Sequence, residues 1–293
     1  MKLHLVDGTY ELFRAHYSKR PDHRAADGSP AKATVGLVTS LLQLISDPKE
    51  QVTHLAVAFD NPVRSFRNQL FAGYKTEEGV EPDILAQFDA AEAAVRAIGV
   101  TVWSMDRWEA DDALATGAAR FAAEVEQVRI MTPDKDLGQC IVGDRVVQVD
   151  RMRQKELDET ALVALRGIKP ASIPDWLALT GDTADGVPGL AGFGAKSAAA
   201  VLAKFEHLEA IPDDPKLWPA TVRGADRLAK TLSESRELAV LYRLLTRLVT
   251  DVPLPESLDD LRWRGIPEQP FDDWCTQLKV TGLRERALRV AGS

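Results

Sequence analysis

The spacing of apolar residues predicts strands that alternate with helices through the first half of the chain. Short apolar runs bounded by turn-forming residues favour buried strands. They lie at Lys2–Val6, Thr53–Phe59, Val100–Trp103, Val128–Met131 and Arg145–Val149. Helical spacing separates these runs, as in Lys32–Ile45, Pro82 to about Ile98, and Glu109–Ala123. Strands alternating with helices predict a doubly wound, mainly parallel α/β sheet.

The pattern changes after about Asp150, where strand signals stop and short helical patterns follow one another. The predicted helices lie at Leu157–Leu165, Pro170–Leu179, Ala195–Lys204 and, as one long Arg- and Leu-rich helix, Ala225–Thr246. The sequence therefore predicts two domains. One is an α/β core of residues 1–155, and the other is a helical part of residues 156–293 whose last helices pack back on the core.

Composition indicates a globular protein without a membrane partner. The chain has 293 residues, of which 45% are hydrophobic and 27% charged, and this length allows a sizeable core. No apolar run approaches the roughly 18 residues of a membrane span, and the first residues lack the features of a signal peptide. Cys140 and Cys275 match no zinc or redox spacing, so we expect reduced thiols in a cytoplasmic protein.

Nine carboxylates occur in five clusters and form the main candidate for chemistry. They are Asp7; Asp60; Glu109, Asp111 and Asp112; Asp134 and Asp136; and Asp182 and Asp185. Three of the clusters follow predicted strands, where open α/β sheets place their binding sites. Glu109, Asp111 and Asp112 lie at the start of the alanine-rich helix. Considered alone, these acids could instead simply complement the helix dipole. Taken together, the five clusters predict a metal site.

Oxygen ligands from several strands favour two or three hard cations such as Mg²⁺ or Mn²⁺. Two such ions about 3.5–4 Å apart generate hydroxide and stabilise the leaving oxygen in phosphoryl chemistry. A structural calcium site would draw its ligands from one loop such as D-x-[DN]-x-[DN]-G, which the sequence lacks. The net charge of −8 does not decide whether the partner is nucleic acid, because the nine clustered acids outnumber this excess.

Two stretches suggest contacts with nucleic acid. Residues 61–80 interleave basic and aromatic side chains, a pattern that favours single strands, although an ordinary amphipathic surface helix is the alternative. The turn Gly192-Phe193-Gly194 lies between two predicted helices and precedes Lys196 and Ser197. Its glycines permit a close backbone approach, and the following helix start suits a phosphate. The turn resembles the helix-hairpin-helix element, here over about residues 172–206, which grips a DNA backbone and commonly binds a cation such as K⁺.

Five segments together carry a resemblance to a known family. They are LVDGTYELFRAHY, FDNPVRSFRNQLFAGYK, WEADDALAT, MTPDKDLGQC and LTGDTADGVPGLAGFGAKSA. In this order and spacing the chain resembles the 5′ nuclease family of flap endonucleases and the 5′–3′ exonuclease domain of bacterial DNA polymerase I. The resemblance runs from residue 3 to about 205 and continues weakly to about 254, so we expect a stand-alone nuclease. It implies a PIN-like core with a helical arch over about residues 61–98.

The resemblance implies a role for each matching carboxylate. The ligands of a first metal ion correspond to Asp7, Asp60, Glu109 and Asp111. The second group, which reaches its ion directly or through water, corresponds to Asp134, Asp136, Asp182 and Asp185. Asp112 lies between them as a bridging ligand or as a ligand of a third ion.

Other matches imply contacts with DNA. Lys75 corresponds to a basic residue at the foot of the arch that stabilises charge on the attacked phosphodiester, and Arg67 is expected to assist it. The remaining predicted contacts with DNA are Arg14, Tyr10, Tyr17, Tyr74, Gly192, Gly194, Lys196 and Ser197.

The chain departs from the family pattern at three places. Glu77 and Glu78 follow the matched lysine and make the arch less basic. The common S-D-N becomes Ala184-Asp185-Gly186, and G-E-K-T becomes Gly194-Ala195-Lys196-Ser197. None of these changes removes a predicted ligand, so we expect an active enzyme.

The resemblance therefore implies a metal-dependent, structure-specific 5′ nuclease that acts in replication and repair on DNA with a 5′ flap, a nick or a 5′ end. The alternatives are a related nuclease that prefers RNA or RNA–DNA hybrids and a non-catalytic DNA-binding relative. A Rossmann-like nucleotide binder is excluded, because an acid and not a glycine-rich loop follows the first strand. We expect a monomer with a nucleoid-associated function and a functional partnership with DNA polymerase and ligase.

Overall fold

The computed structural model describes residues 1–291, apart from the side chains of residues 286 and 288–291. Over this range the strands are β1 Lys2–Asp7, β2 His54–Asp60, β3 Thr101–Met105, β4 Gln127–Met131, β5 Val146–Asp150 and β6 Lys155–Leu157. The α-helices are α1 Gly8–His16, α2 Lys32–Ile45, α3 Arg67–Leu70, α4 Pro82–Leu85, α5 Phe88–Ala97, α6 Ala110–Phe121, α7 Glu159–Arg166, α8 Ile173–Thr180, α9 Ala195–Phe205, α10 Ala225–Glu234, α11 Arg236–Thr246, α12 Glu268–Gln277 and α13 Thr281–Ala291. Among the described residues, no helix combines the length and the apolar character that crossing a membrane requires.

The chain divides into two compact units. The first unit comprises Met1–Arg64, Glu77–Thr132 and the C-terminal residues from Thr250, and the second comprises Ser65–Thr76 and Pro133–Val249. Each unit brings together stretches that are distant in sequence, and the predicted boundary at residue 155 falls inside the second unit.

In the first unit, four strands lie parallel in the order β3-β2-β1-β4. Leu5 at the centre of β1 pairs with Ala56 of β2 and with Ile130 of β4. All of β2 is buried, and β1 is buried from Leu3 onwards, as expected for a parallel sheet covered on both faces. The four strands predicted for this part of the chain are therefore confirmed, with ends that differ by one or two residues.

The strand order shows that this sheet is wound in two directions. The chain passes from β1 to β2 and β3, and then returns to the other side of β1 as β4. Because crossovers between parallel strands are right-handed, the outward and return helices cover opposite faces. α1 and α5 contact β2, and α6 contacts all four strands. The doubly wound sheet is confirmed, and its switch point lies between the carboxyl ends of β1 and β4.

The C-terminal residues complete the first unit. α12 contacts α5, and α13 contacts α2. The backbone N–H of Val252 donates to Oγ1 of Thr116 at 3.1 Å, and that of Trp263 donates to the carbonyl of Thr53 at 3.0 Å. These contacts attach the last part of the chain to elements formed by its first half.

The second unit is built around a core of helices. α8 contacts α9 and α11, and buried side chains such as Leu177, Ala198 and Tyr242 join them in one hydrophobic cluster. β5 and β6 form an antiparallel pair in which Asp150 lies opposite Lys155. The predicted helix-hairpin-helix is present as α8, the intervening turn and α9.

Three predicted elements differ from the structure. The long helix predicted over Ala225–Thr246 is interrupted at Ser235, and the one from Pro82 is divided into α4 and α5. The predicted arch over residues 61–98 is thus only partly helical, and α3 within it has four residues. β6 was not predicted, because the sequence Lys-Glu-Leu is too short and too polar to show strand periodicity.

The contact between α6 and β3 generates a stability prediction. A Cβ on Gly117 of α6 would lie 2.6 Å from Cη2 of Trp103, and Trp103 is itself 2% exposed. We expect Gly117→Ala to lower the free energy of unfolding by about 1–3 kcal/mol through overpacking, although Ala favours helices by about 1 kcal/mol. Urea unfolding measures the change. Gly282→Ala is the control, because a Cβ there meets nothing within 4 Å; equal stability of both variants would contradict the tight packing.

Candidate functional site

The first carboxylate group comprises the predicted ligands of the first unit, Asp7, Asp60, Glu109, Asp111 and Asp112. Asp7 ends β1 and caps α1: its Oδ1 accepts the backbone N–H of Tyr10 at 2.8 Å, and its Oδ2 accepts the hydroxyl of Thr132 at 3.0 Å. Thr132 follows β4 directly. These bonds hold the Asp7 carboxylate at the switch point of the sheet, where ligand sites of such sheets lie.

The N-terminus of α6 positions the other members of the first carboxylate group. Oδ1 of Asp60, at the end of β2, accepts the backbone N–H of Ala110 at 2.6 Å. Glu109 and Asp112 form a capping box in which each side chain accepts the backbone N–H of the other. The positive end of the helix dipole favours negative charge here. Asp7, Asp60 and Glu109 are 6%, 8% and 3% exposed.

Asp111 and Asp112 differ in their surroundings. Asp111 is half-buried. Asp112 is completely buried, and its Oδ2 accepts the backbone N–H of Glu109 at 3.0 Å. This hydrogen bond caps α6. The predicted role of Asp112 as a bridging ligand or as a ligand of a third ion stays a prediction.

The second carboxylate group comprises the predicted ligands of the second unit, Asp134, Asp136, Asp182 and Asp185. Asp136, Asp182 and Asp185 each offer an oxygen, and these oxygens all lie within 4.8 Å of one another. Asp134 caps the short 3₁₀ helix Lys135–Cys140, and its Oδ1 accepts the backbone N–H of Asp136 at 2.9 Å. The structure therefore gathers residues that are nearly fifty positions apart in sequence.

Asp136 shows that this group fits a cation. It is 4% exposed, and its Oδ1 has no hydrogen-bond partner among the described residues. Burial and the charge of Asp134 raise the pKa of Asp136 well above its usual range, although Lys135 opposes them. Lys135 lies 3.3 Å from this oxygen without a hydrogen bond to it. An all-oxygen set of ligands suits a hard divalent ion such as Mg²⁺ or Mn²⁺.

Two lysines approach the second carboxylate group. Nζ of Lys75, the predicted catalytic lysine, lies 3.2 Å from Oδ1 of Asp185, and its backbone N–H donates to the Asp185 carbonyl at 3.0 Å. Nζ of Lys135 pairs with both Asp136 and Asp182. Burial lowers the pKa of Lys135, but the two aspartates outweigh this effect and raise it. Sequence reasoning assigned no role to Lys135, although its position between two predicted ligands was a signal.

Arg67 and Tyr74 are both buried in the second unit. Arg67 is 1% exposed, and its guanidinium donates to the carbonyls of Leu245 at 2.8 Å and Arg247 at 3.1 Å. Tyr74 is 4% exposed and lies in the hydrophobic core of the second unit. Both side chains therefore help to stabilise this unit, and the hydroxyl of Tyr74 donates to Oδ2 of Asp185 at 3.4 Å. The predicted roles of Arg67 as an assistant of Lys75 and of Tyr74 as a DNA contact stay predictions. The alternation of basic and aromatic residues does not show which of them are buried.

The predicted DNA contacts of the first unit differ in exposure. Arg14 pairs with Glu11 and donates to Oγ of Ser40 at 2.9 Å, and its side chain is 25% exposed. Tyr10 is half-buried, whereas Tyr17 is 60% exposed. Of these residues Tyr17 presents the most accessible ring. Glu77, expected to make the arch less basic, is paired with Arg64 at 3.0 Å, which offsets part of its charge.

The turn between α8 and α9 presents its backbone to solvent. Gly192 and Gly194 are exposed, whereas Phe193 between them is 7% exposed and packs at 6.3 Å from the ring of Trp218. Gly192 has a φ of +88°, which favours glycine. Oγ of Ser197 accepts the backbone N–H of Gly194 at 3.0 Å and thereby caps α9. Lys196 is exposed in the first turn of this helix.

Two family models match the chain. The model described as 5′–3′ exonuclease, N-terminal resolvase-like domain, matches residues 2–166. The model described as 5′–3′ exonuclease, C-terminal SAM fold, matches residues 168–269. Both carboxylate groups and the turn between α8 and α9 lie within the matched residues.

Individual proteins match over most of the chain. A 5′–3′ exonuclease of Aquifex aeolicus is 31% identical over 261 residues, which cover 89% of this chain and 86% of the relative. A DNA polymerase I of Rhizobium leguminosarum is 35% identical over 265 residues, which cover 88% of this chain and 26% of the relative. The chain thus spans between 26% and 32% of the length of the DNA polymerase I relatives that it matches.

Among solved structures, the chain is similar to a bacteriophage T5 flap endonuclease in a pseudo-enzyme–product complex with DNA and metal ions. The TM-score is 0.63, all of both chains is covered, and 16% of residues are identical. At this identity the likeness shows the fold. It confirms the expected combination of an α/β core with a helical part.

Two buried aspartates of the second unit are expected to respond oppositely to the same substitution. Asp136 lacks a hydrogen bond to Oδ1, whereas Asp175 accepts hydrogen bonds from His207, Leu208 and Arg243. In the presence of a chelator, we expect Asp136→Asn to raise the free energy of unfolding, because it removes a buried charge that burial and Asp134 disfavour. We expect Asp175→Asn to lower it by about 3 kcal/mol, because the substitution leaves buried partners without their charge. Urea unfolding at pH 7 measures both.

The pH dependence of stability provides a second test of the effect expected for Asp136→Asn. The folded protein holds the Asp136 proton to a higher pH than the unfolded chain does, because its pKa is raised. The ionised carboxylate therefore destabilises the fold only above the pKa of the unfolded chain, and increasingly so as the pH rises towards the folded-state pKa. The advantage of Asp136→Asn is expected to grow from acid to neutral pH. A loss of stability at neutral pH would show that the carboxylate is well satisfied.

Proposed function

The chain belongs to the 5′–3′ exonuclease family, and from this premise we propose that it is a divalent-metal-dependent, structure-specific 5′ nuclease. It hydrolyses DNA phosphodiester bonds near junctions between single and double strands. The observation that carries the proposal is the second carboxylate group, in which three aspartates converge within 4.8 Å. Such convergence of like charge, with two of the three aspartates buried, is unfavourable in itself and is typical of a functional site.

The two carboxylate groups would hold the metal ions. Mg²⁺ or Mn²⁺, when bound, lowers the pKa of a water molecule and stabilises charge on the phosphate and the leaving oxygen. The chain itself supplies oxygen ligands whose orientation is fixed by backbone hydrogen bonds, as at Asp7 and Asp134. Lys75 would neutralise a phosphodiester oxygen, since its ammonium already lies beside Asp185.

The turn between α8 and α9 would hold the DNA backbone. Exposed glycine backbone and Lys196 at the start of a helix suit a phosphate. As part of the same proposal, carbonyls of the turn would bind a K⁺ ion. The similar bacteriophage T5 protein was solved with DNA and metal ions, which supports DNA as the substrate here. We extend the proposal to flap or primer removal by a cytoplasmic monomer that works beside a DNA polymerase and a ligase.

Cleavage of a flap tests the proposed activity. We expect a 5′-labelled flap duplex to be cut near its junction with Mg²⁺ or Mn²⁺ and not with chelator. Asp134→Ala is expected to lower the rate by on the order of 100-fold or more, because it removes a predicted ligand and the cap of the 3₁₀ helix. Asp144→Ala is the matched control: Asp144 is exposed in the same unit, and its loss is expected to leave the rate unchanged.

The outcomes separate the alternatives. Binding of the flap without cleavage by any metal would contradict the catalytic proposal and favour a non-catalytic DNA-binding protein. Faster cleavage of an otherwise identical flap with a ribose 5′ strand would indicate a nuclease that prefers RNA or RNA–DNA hybrids. Light scattering that shows a stable dimer would contradict the monomer.

The salt dependence of DNA binding tests the proposed contact between the turn that joins α8 to α9 and the DNA backbone. Lys196→Ala is expected to weaken binding of duplex DNA and to reduce the slope of log affinity against log salt by about 1, as for the loss of one phosphate contact. Binding is measured by fluorescence anisotropy in Ca²⁺ or chelator, so that cleavage does not interfere. Lys230→Ala removes an exposed lysine of the same unit and is expected to change the slope little. An unchanged slope for Lys196→Ala would place the DNA elsewhere.

A further inference from the structure

Lys135 lies among the aspartates of the second carboxylate group. Its Nζ is 3.3 Å from Oδ1 of Asp136 and also pairs with Oδ2 of Asp182. The oxygens of these two aspartates and of Asp185 are the ones that lie within 4.8 Å of one another. The ammonium of Lys135 is therefore in contact with two of the three side chains best placed to bind a metal ion.

The burial of these carboxylates explains why a cation lies there. Asp136 and Asp182 are 4% and 5% exposed, and buried carboxylates are strongly unfavourable unless they are paired. Lys75 contributes a second ammonium at 3.2 Å from Asp185. Two lysines thus supply positive charge in the region where a divalent ion would otherwise supply it.

A divalent ion and the Lys135 ammonium compete for the same oxygens. An ion bound to Oδ1 of Asp136 at about 2.1 Å would lie within roughly 5 Å of Nζ, where repulsion in a partly buried site is large. The lysine side chain is long and flexible, and that of Lys135 is 32% exposed. It can therefore leave towards solvent without movement of the backbone.

We propose that Lys135 is a displaceable counter-cation, which balances the second carboxylate group until a divalent ion replaces it. The inference rests on the proposed nuclease function, because it concerns the same ligands. Lys135 is a positioning residue here: it holds the aspartates close together and sets how strongly the metal must bind to displace it. Removal of its charge consequently strengthens metal binding, although it weakens the metal-free fold.

Titration with Mn²⁺ alone, without DNA, tests this competition. Lys135→Met removes the ammonium and keeps an unbranched side chain. Electron paramagnetic resonance of free Mn²⁺ is expected to show roughly tenfold tighter binding than in the wild type. In EDTA the variant is expected to have a lower Tm than the wild type, and saturating Mn²⁺ is expected to raise its Tm by more.

Matched variants isolate the effect of the charge at this position. Lys135→Arg keeps a cation and is expected to bind Mn²⁺ about as weakly as the wild type. Lys230→Met changes the net charge equally at a lysine that is 75% exposed and is expected to leave the affinity unchanged. The tighter Mn²⁺ binding of Lys135→Met is expected to persist in an Asp7→Asn background, because Asp7 belongs to the first carboxylate group. Binding by Lys135→Met that is no tighter than that of the wild type, or a gain that disappears in this background, would overturn the proposal.

Acetylation of the wild-type chain provides a test that does not depend on a variant. The rate of modification of Lys135 by a small acylating reagent, measured by mass spectrometry, is expected to rise severalfold when Mn²⁺ saturates the protein. The rate at Lys230 is expected to stay constant. An unchanged rate at Lys135 with saturating Mn²⁺ would overturn the proposed displacement of Lys135 but not the proposed nuclease function. Absence of any Mn²⁺ binding would overturn both this proposal and the proposed nuclease function.

Discussion

The burial of many carboxylates is the constraint on which both units depend, because a desolvated negative charge must find hydrogen bonds or positive charge. In the first unit the backbone supplies them. Asp7 and Asp60 each end a strand and accept a backbone N–H from the start of a helix. The winding of the sheet and the capping of α1 and α6 thereby orient carboxylates that would otherwise oppose folding. The same hydrogen bonds therefore cap the helices and orient the candidate ligands.

The second unit contains two buried carboxylates that are compensated to different degrees. Asp175 is 1% exposed, and an imidazole, a backbone amide and a guanidinium surround it, so its charge ties α8 to α11 and to the segment near His207. Asp136 is similarly buried, but among the described residues its Oδ1 has only the Lys135 ammonium at 3.3 Å and no hydrogen bond. Equal burial with unequal pairing distinguishes a structural carboxylate from one arranged for a ligand.

Much of this arrangement could be predicted from the sequence, because strand and helix periods and the order of acidic motifs are local properties. Burial of individual side chains is not local. The interleaved basic and aromatic residues before α4 suggested contacts with DNA, yet Arg67 and Tyr74 pack inside the second unit. The break at Ser235 also escaped prediction, because apolar residues recur at helical spacing on both of its sides. Only tertiary packing decides such cases.

The segment from Asp134 to Asp136 shows how closely ligand and competitor are joined. The cap formed by Asp134 on the backbone N–H of Asp136 starts a 3₁₀ helix, and Lys135 in its first turn reaches Asp136 and Asp182. One local turn therefore supplies two carboxylates and the cation that balances them. It follows that the number of acids alone overstates how tightly such a group binds a divalent ion, because the ion must also replace an ammonium. The free energy of metal binding is then the difference between the interaction of the carboxylates with the metal ion and their interaction with the lysine ammonium that it replaces.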